Sequence, residues 1–206
     1  MTEMTEALAR IRRGHIERKT GETAIQLDLD LDGTGLVHAA TGVLFLDHML
    51  DALGRHGRMN LTVTCEGDAA MDPHHTVEDV GIALGMAIRQ ALGDRAGIAR
   101  FGSAYAPLDE ALARVVVDCS GRPFLHFAAS MPEPLIGRDF AASLVEEFWR
   151  GLVMNAYLTV HIDLLRARNA HHAAEAIFKA GALALHQATR LTGDLTRIPS
   201  TKGVLA

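Results

Sequence analysis

Cysteine, tryptophan and tyrosine are scarce in this chain: two, one and two among 206 residues. Cys65 and Cys119 stand 54 positions apart without a C-x-x-C partner, so they read as two thiols of a reducing cytosol rather than a disulfide framework. Long apolar runs are missing too. The longest stretch free of Asp, Glu, Lys and Arg is Gly33–Leu46, fourteen residues, and a membrane span needs roughly twenty. Basic charge is in deficit: 20 Lys and Arg face 25 Asp and Glu, a net charge of −5. That balance gives no general electrostatic grip on nucleic acid or anionic lipid. Met1–Arg13 mixes acidic and basic residues around no apolar core, unlike a secretory signal. With 49% hydrophobic residues disorder is excluded, and a soluble cytoplasmic chain of one domain, or of two small similar ones, is expected. What is abundant is histidine, with 11 copies.

The histidines fall into a repeat. His74-His75-x-x-Glu78 returns as His171-His172-x-x-Glu175, displaced by 97 residues, and Leu61-Thr62-Val63 returns as Leu158-Thr159-Val160 at the same shift. Leu46-Asp47-His48 finds a counterpart in Val145-Glu146-Glu147 at 99, and Ile16…Gly21…Ile25 lies against Val116…Gly121…Leu125 at 100. Four matches in one order indicate an internal duplication. Residues 1–96 and 97–206 are expected to be two structural repeats forming one functional domain, joined through the turn-forming Gly93–Gly97.

Hydrophobic periodicity gives each half the same elements. Gly14–Lys19 and Thr23–Leu31 alternate like strands, Leu44–Arg55 carries a helical stripe, Asn60–Cys65 is a strand, and a helix runs from about His74 to Leu92. The second half repeats them with Ala113–Asp118, Pro123–Ala128, Ala142–Asn155, Tyr157–Leu164 and His171–Leu191. The expected fold class is α/β, of the two-layer α+β kind, with helices packed on mainly antiparallel sheets. Alanines crowd the long helices (Ala83, Ala87 and Ala91, then Ala180, Ala182, Ala184 and Ala188), either to let helices approach closely or as good helix formers.

On a helix, residues four apart share a face, so His74 with Glu78, and His171 with Glu175, can each chelate a cation. His75 and His172 point about 100° away and would reach a different ion. If the halves face each other, each ion could take a His–Glu pair from one helix and the odd His from the other, with His48 as a further ligand. Imidazole with carboxylate suits Mn, Fe, Co, Ni or Zn. His15, His38, His126, His161 and His186 lack ligand-spaced partners and read as surface or structural. His56 follows His48 by about two turns, near the same face. A second group suggests an anion: Arg100, Ser120-Gly121-Arg122-Pro123 in a turn, and the closing Ile198-Pro199-Ser200-Thr201-Lys202-Gly203. Without a Gly-x-x-x-x-Gly-Lys context the tail is no P-loop.

These residues together resemble the imidazoleglycerol-phosphate dehydratase family, in its monofunctional form, over nearly the whole chain from about Arg10 to Leu205. The resemblance is carried by Phe45–Leu50, Asp72–Asp79, Pro107–Ala111, Ser120–Pro123, His171-His172-x-x-Glu175 and Pro199–Gly203. It implies ribosomal protein S5 domain 2-like halves, two Mn²⁺ ions per active site, a large shell assembled from trimers, and sites between subunits. It implies that one ion takes His75, His171 and Glu175, and the other His48, His74, Glu78 and His172. Many relatives carry His where this chain has Glu147, leaving that side chain either a carboxylate ligand or an outer, solvated group. Substrate contacts map to Glu22, His56, Arg100, Arg122, Lys179, Ser200 and Lys202, with Arg100, Arg122, Ser200 and Lys202 gripping the phosphate. The catalytic set the resemblance implies is Glu22, His48, His75, Glu78 and His172.

The implied reaction, in histidine biosynthesis, takes water from D-erythro-imidazole-glycerol phosphate to give imidazole-acetol phosphate. It removes a carbon-bound proton that is not acidic in water. Metal ions on both ring nitrogens would favour an imidazolate able to store electrons, and Glu22 is the expected proton-transfer group. Two other classes use the same ligands: a two-metal hydrolase acting on a small phosphorylated substrate, and a metal-storing shell. The second gives no reason for the arginines and the Ser-Thr-Lys tail.

Overall fold

The computed structural model describes residues 11–67, 69 and 72–203. The readings that fall on Met1–Arg10 and Leu205 lie outside the described residues. In chain order the elements are β1 (Arg13–Lys19), β2 (Thr23–Asp30), β3 (Val37–Ala40), α1 (Leu44–Gly57), β4 (Asn60–Gly67) and α2 (His74–Leu92). They continue with β5 (Phe101–Leu108), β6 (Ala111–Asp118), β7 (Phe124–Ala128), β8 (Leu135–Ile136), β9 (Phe140–Ala141), α3 (Leu144–Ala156), β10 (Thr159–Arg166) and α4 (Ala170–Thr189). None of the described helices is long and apolar enough to cross a membrane.

Two four-stranded sheets have the same order, β1-β2-β4-β3 and β5-β6-β10-β7. In each, two ladders are antiparallel and the last, β3–β4 or β7–β10, is parallel. The halves are thus alike and mainly antiparallel. One face of each sheet is apolar, as Ile25, Leu27 and Leu29 on β2 and Ala113, Val115 and Val117 on β6 show. α2 covers β1 and β2, and α4 covers β5 and β6. The halves then join helix to helix in a crossed pattern, α1 against α4 and α2 against α3, around one core containing Leu50, Leu84, Phe148, Trp149 and Phe178.

The helix contacts are close. A Cβ at Gly81 would stand 2.5 Å from the Phe148 carbonyl oxygen, one at Gly85 2.3 Å from that of Leu152, and one at Gly151 2.8 Å from that of Glu78. The alanines of α2 and α4 named above are all buried, so these small faces pack within the chain.

The duplication is real, but the sequence match at a shift of 100 pairs β1 with β6 and β2 with β7, which occupy different places in their sheets. The structural counterparts of β1 and β2 are β5 and β6, 88 residues on. Gly14 lies against Ala87 of α2 as Gly102 lies against Ala184 of α4, with would-be Cβ–O separations of 2.3 and 2.0 Å. The neighbouring amides of His15 and Ser103 donate to Gln90 and Gln187 at 3.0 and 3.1 Å. The hairpin turns also agree in register: Lys19 faces Ala24 in one and Pro107 faces Leu112 in the other. The shift changes from 88 to 99 between β7 and α3, where the second half inserts the β8–β9 hairpin, and to 97 between β10 and α4. Pairing with β2 and β6 puts Asn60 opposite Thr159 in the repeat, so the match of Leu61-Thr62-Val63 with Leu158-Thr159-Val160 is two residues out of register.

Candidate metal and substrate site

The first site lies where α1 meets the start of α4. Asp47 anchors the entry to α1 by accepting from the Thr41 amide at 3.0 Å and the Thr41 hydroxyl at 2.7 Å. One residue later, exposed His48 reaches across to α4. Its Nε2 and the Nε2 of His171 both lie 3.2 Å from Glu175 Oε2. Lys179, one turn on, holds the other carboxylate oxygen at 2.6 Å. Burial alone would raise the Glu175 carboxyl, but the Lys179 hydrogen bond and charge, then His48, outweigh it and hold it below its usual value. Phe45 packs on the His171 ring at 5.2 Å and on Phe140 of β9 at 4.8 Å, so the inserted hairpin backs this cluster.

Among the described residues, His48, His171 and Glu175 form the one group of three donors close enough for a single ion. The donors fit one. Bonds of about 2.0–2.2 Å in a tetrahedral site put neighbouring ligand atoms about 3.4 Å apart, close to the 3.2 Å from each imidazole to the carboxylate. Two imidazoles and a carboxylate suit a divalent first-row metal. Within one chain His48 therefore sits with His171 and Glu175, whereas the family resemblance assigns it to the set of His74, Glu78 and His172.

The second group starts α2. Asp72 accepts from the His74 amide at 2.9 Å, fixing the first turn. His74 Nε2 lies 3.7 Å from Glu78 one turn on, and His75 Nε2 lies 3.7 Å from Glu22. Glu22 is exposed on the β1–β2 turn, and the next residue is held firmly. The Thr23 hydroxyl donates to the buried Asp79 carboxylate at 2.5 Å, and Arg18 pairs with the same oxygen at 2.7 Å. The rings of His74 and His75 meet edge to face at 88°, and those of His171 and His172 at 90°, with centroids 6.0 and 6.2 Å apart.

One participant was missed by the sequence reading. His172 Nδ1 lies 2.9 Å from Glu110 Oε2, while Glu110 Oε1 accepts from the Arg168 and Asn169 amides at 3.1 and 3.0 Å. The His172 hydrogen bond, then the Arg168 amide, pushes the Glu110 carboxyl down to about 2. The same bond raises the imidazole pKa of His172. An alignment at 88 residues would have found Glu110, because it places it on Glu22.

The anion-binding candidates gather at the other end of α4. The Arg100 amide donates to the Ala188 carbonyl at 2.8 Å. Its guanidinium grips Asp118 through Nε at 2.8 Å and Nη2 at 3.2 Å, and donates through Nη1 to the Pro199 carbonyl at 2.8 Å. Arg122 stands 3.9 Å from the same Asp118 and is exposed. The Lys202 amide donates to Ser200 Oγ at 3.2 Å. Arg100, Arg122 and the tail are thus neighbours, with much of the Arg100 fork engaged in building the platform. His56 is exposed near the end of α1, and Glu147 pairs with Arg150 at 3.5 Å.

Residues 41–185 match the family described as imidazoleglycerol-phosphate dehydratase. The protein of that name from Bordetella avium is 54% identical over 198 residues, covering 95% of this chain and 100% of the relative. That from Hydrogenovibrio crunogenus is 52% identical over 196 residues, with the same coverage. The crystal structure from Staphylococcus aureus aligns with a TM-score of 0.78 at 42% identity, over 87% of this chain and 99% of the other. That from Pyrococcus furiosus gives 0.80 at 37%, over 92% and 100%. A duplicated fold, doubled His-His-x-x-Glu helices and full-length likeness agree: the chain belongs to the imidazoleglycerol-phosphate dehydratase family, hydro-lyases of histidine biosynthesis.

Proposed function

We propose that the chain converts D-erythro-imidazole-glycerol phosphate to imidazole-acetol phosphate in the cytoplasm, using two Mn²⁺ ions per active site completed by neighbouring copies in a shell of trimers. The observation that carries the assembly is a length. His171 and Glu175 lie in the first turns of α4, while Arg100 is bonded to Ala188 in its last. Thirteen or more helical residues separate them, about 20 Å at 1.5 Å per residue. The substrate, a five-membered ring on a three-carbon phosphate, spans roughly 10 Å at ordinary bond lengths. That separation between His171 and Glu175 and the same chain's Arg100 exceeds the substrate's span, which supports drawing the metal ligands and the phosphate grip from different copies.

His48, His75, His171 and Glu175 would hold one ion, and His74, Glu78 and His172 the other, with donors drawn from more than one copy; Glu147 is an outer residue held by Arg150. When bound, the ions supply Lewis acidity and a template at the substrate's ring nitrogens. Arg100, Arg122, Ser200 and Lys202 bind the phosphate, and His56 and Lys179 contact the substrate. Hydroxide leaves the carbon beside the ring, and Glu22 takes the proton from the neighbouring, hydroxyl-bearing carbon, which becomes the enol carbon. The resulting enol is reprotonated at carbon to give the ketone, with Glu22 returning the proton. The crossed helix packing supports the two repeats, 1–96 and 97–206, acting as one unit.

Incubation with imidazole-glycerol phosphate, followed for an enolisable ketone, tests the reaction. Chelator dialysis should abolish turnover and Mn²⁺ should restore it. Activity unchanged after complete metal removal would refute the metal chemistry, and release of inorganic phosphate in place of the ketone would indicate a hydrolase.

A further inference from the structure

The duplication makes two carboxylate–imidazole contacts that are counterparts of one another. Glu22 and Glu110 occupy the same place in the β1–β2 and β5–β6 turns, 88 residues apart, and His75 and His172 the same place in α2 and α4, 97 apart. The two contacts have diverged. Glu22 is exposed and stands 3.7 Å from Nε2 of His75. Glu110 lies 2.9 Å from Nδ1 of His172, and its other oxygen is pinned by the amides of Arg168 and Asn169. Those two residues lead into α4, where Asn169 accepts from the His172 amide at 3.1 Å. Glu110 thus ties the turn, the helix entry and the imidazole into one rigid unit.

We propose that Glu110 is a positioning residue: it keeps the His172 ring proton on Nδ1, leaving Nε2 as the outward-facing electron-pair donor, while its counterpart Glu22 stays loose enough to carry protons. A carboxylate accepts and cannot donate, so Nδ1 of the neutral ring must supply the hydrogen. Fixing one ring nitrogen by a carboxylate is how the other is aimed at a metal. The role of Nε2 as a metal donor rests on the function proposed above; the tautomer does not.

The ring tautomer is read by long-range proton–nitrogen NMR on metal-free protein, in the neutral state of His172, alongside Mn²⁺ titration by electron paramagnetic resonance. Wild type should carry the proton on Nδ1. In Glu110→Gln the amide cannot satisfy two backbone donors and the ring donor together. If its oxygen faces the amides, its NH2 faces Nδ1 and drives the proton to Nε2. The proton should shift toward Nε2, and Mn²⁺ affinity should fall by about 10- to 100-fold. Glu22→Gln should leave the His172 tautomer unchanged. A wild-type ring protonated on Nε2, or a Glu110→Gln protein with wild-type tautomer and affinity, overturns the assignment. The wild-type spectrum needs no variant to fold. If the tautomers behave as stated while no dehydratase turnover is found, the proposed function fails and the orientation of His172 by Glu110 stands.

Discussion

Replacing Gly102 by alanine tests whether the joint between β5 and α4 sets both stability and the geometry of the anion platform. The added Cβ would lie 2.0 Å from the Ala184 carbonyl oxygen and 2.8 Å from the Ala188 nitrogen, where ordinary contact begins near 3.4 Å. The obstacles are backbone, so no side chain can rotate away. β5 is also held by its ladder to β6, where Gly102 faces Val117. Strand and helix must separate by over 1 Å, at the upper end of the overpacking range, about 3 kcal/mol. For a chain of this length that lowers Tm by about 6–12 °C. Two residues earlier Arg100 donates to Ala188 and supports Pro199, so the shift should also raise KM for the phosphorylated substrate. Thermal denaturation at fixed protein concentration and steady-state kinetics measure the two effects. Gly14→Ala, against Ala87, should lower Tm comparably, while Gly21→Ala, whose Cβ meets nothing within 4 Å, should not. A Gly102→Ala protein with wild-type Tm and KM would refute the reasoning.

Glu22→Gln should reduce kcat by about 10²–10⁴-fold with Mn²⁺ content unchanged by elemental analysis; near-normal turnover removes Glu22 from proton transfer. Lys202→Ala should chiefly raise KM, and an unchanged KM would take the tail out of the phosphate grip. Burial pushes the Cys119 thiol up to about 12, while an unfolded chain releases its proton near the ordinary 9.0. Between those values the unfolded state binds fewer protons, so stability falls by about 1.4 kcal/mol per pH unit. Denaturant melts of wild type against Cys119→Ala should isolate that slope. Phe140→Ala removes a buried ring from behind Phe45 and His171, at a cost of about 3 kcal/mol in urea unfolding.

The helices were legible in the sequence because their apolar residues recur at helical spacing, and in α2 and α4 they cover both the side toward the sheet and the side toward a helix of the other half. β2 and β4 were legible because buried and exposed residues alternate. β5 was not. It buries Gly102, Ala104 and Ala106 and exposes Phe101, Ser103 and Tyr105, reversing the usual size pattern because α4 approaches too closely for larger side chains. β3 is a four-residue edge strand, too short for periodicity to register. Missing β5 displaced the repeat alignment by one strand and hid the correspondence of Glu22 with Glu110.

Residue types at helical spacing by themselves determined that this chain carries two His-His-x-x-Glu faces, since the α-helix fixes which neighbours share a side. They also determined the duplication and, through ordered motifs, the family. Tertiary structure decided which side chains meet. His48 joins His171 and Glu175 because α1 packs on α4 of the other half, Glu110 finds His172 across a hairpin turn, and Arg100 is carried to the far end of α4. Such contacts depend on how sheets and helices close around the core, and no spacing along the chain encodes that distance.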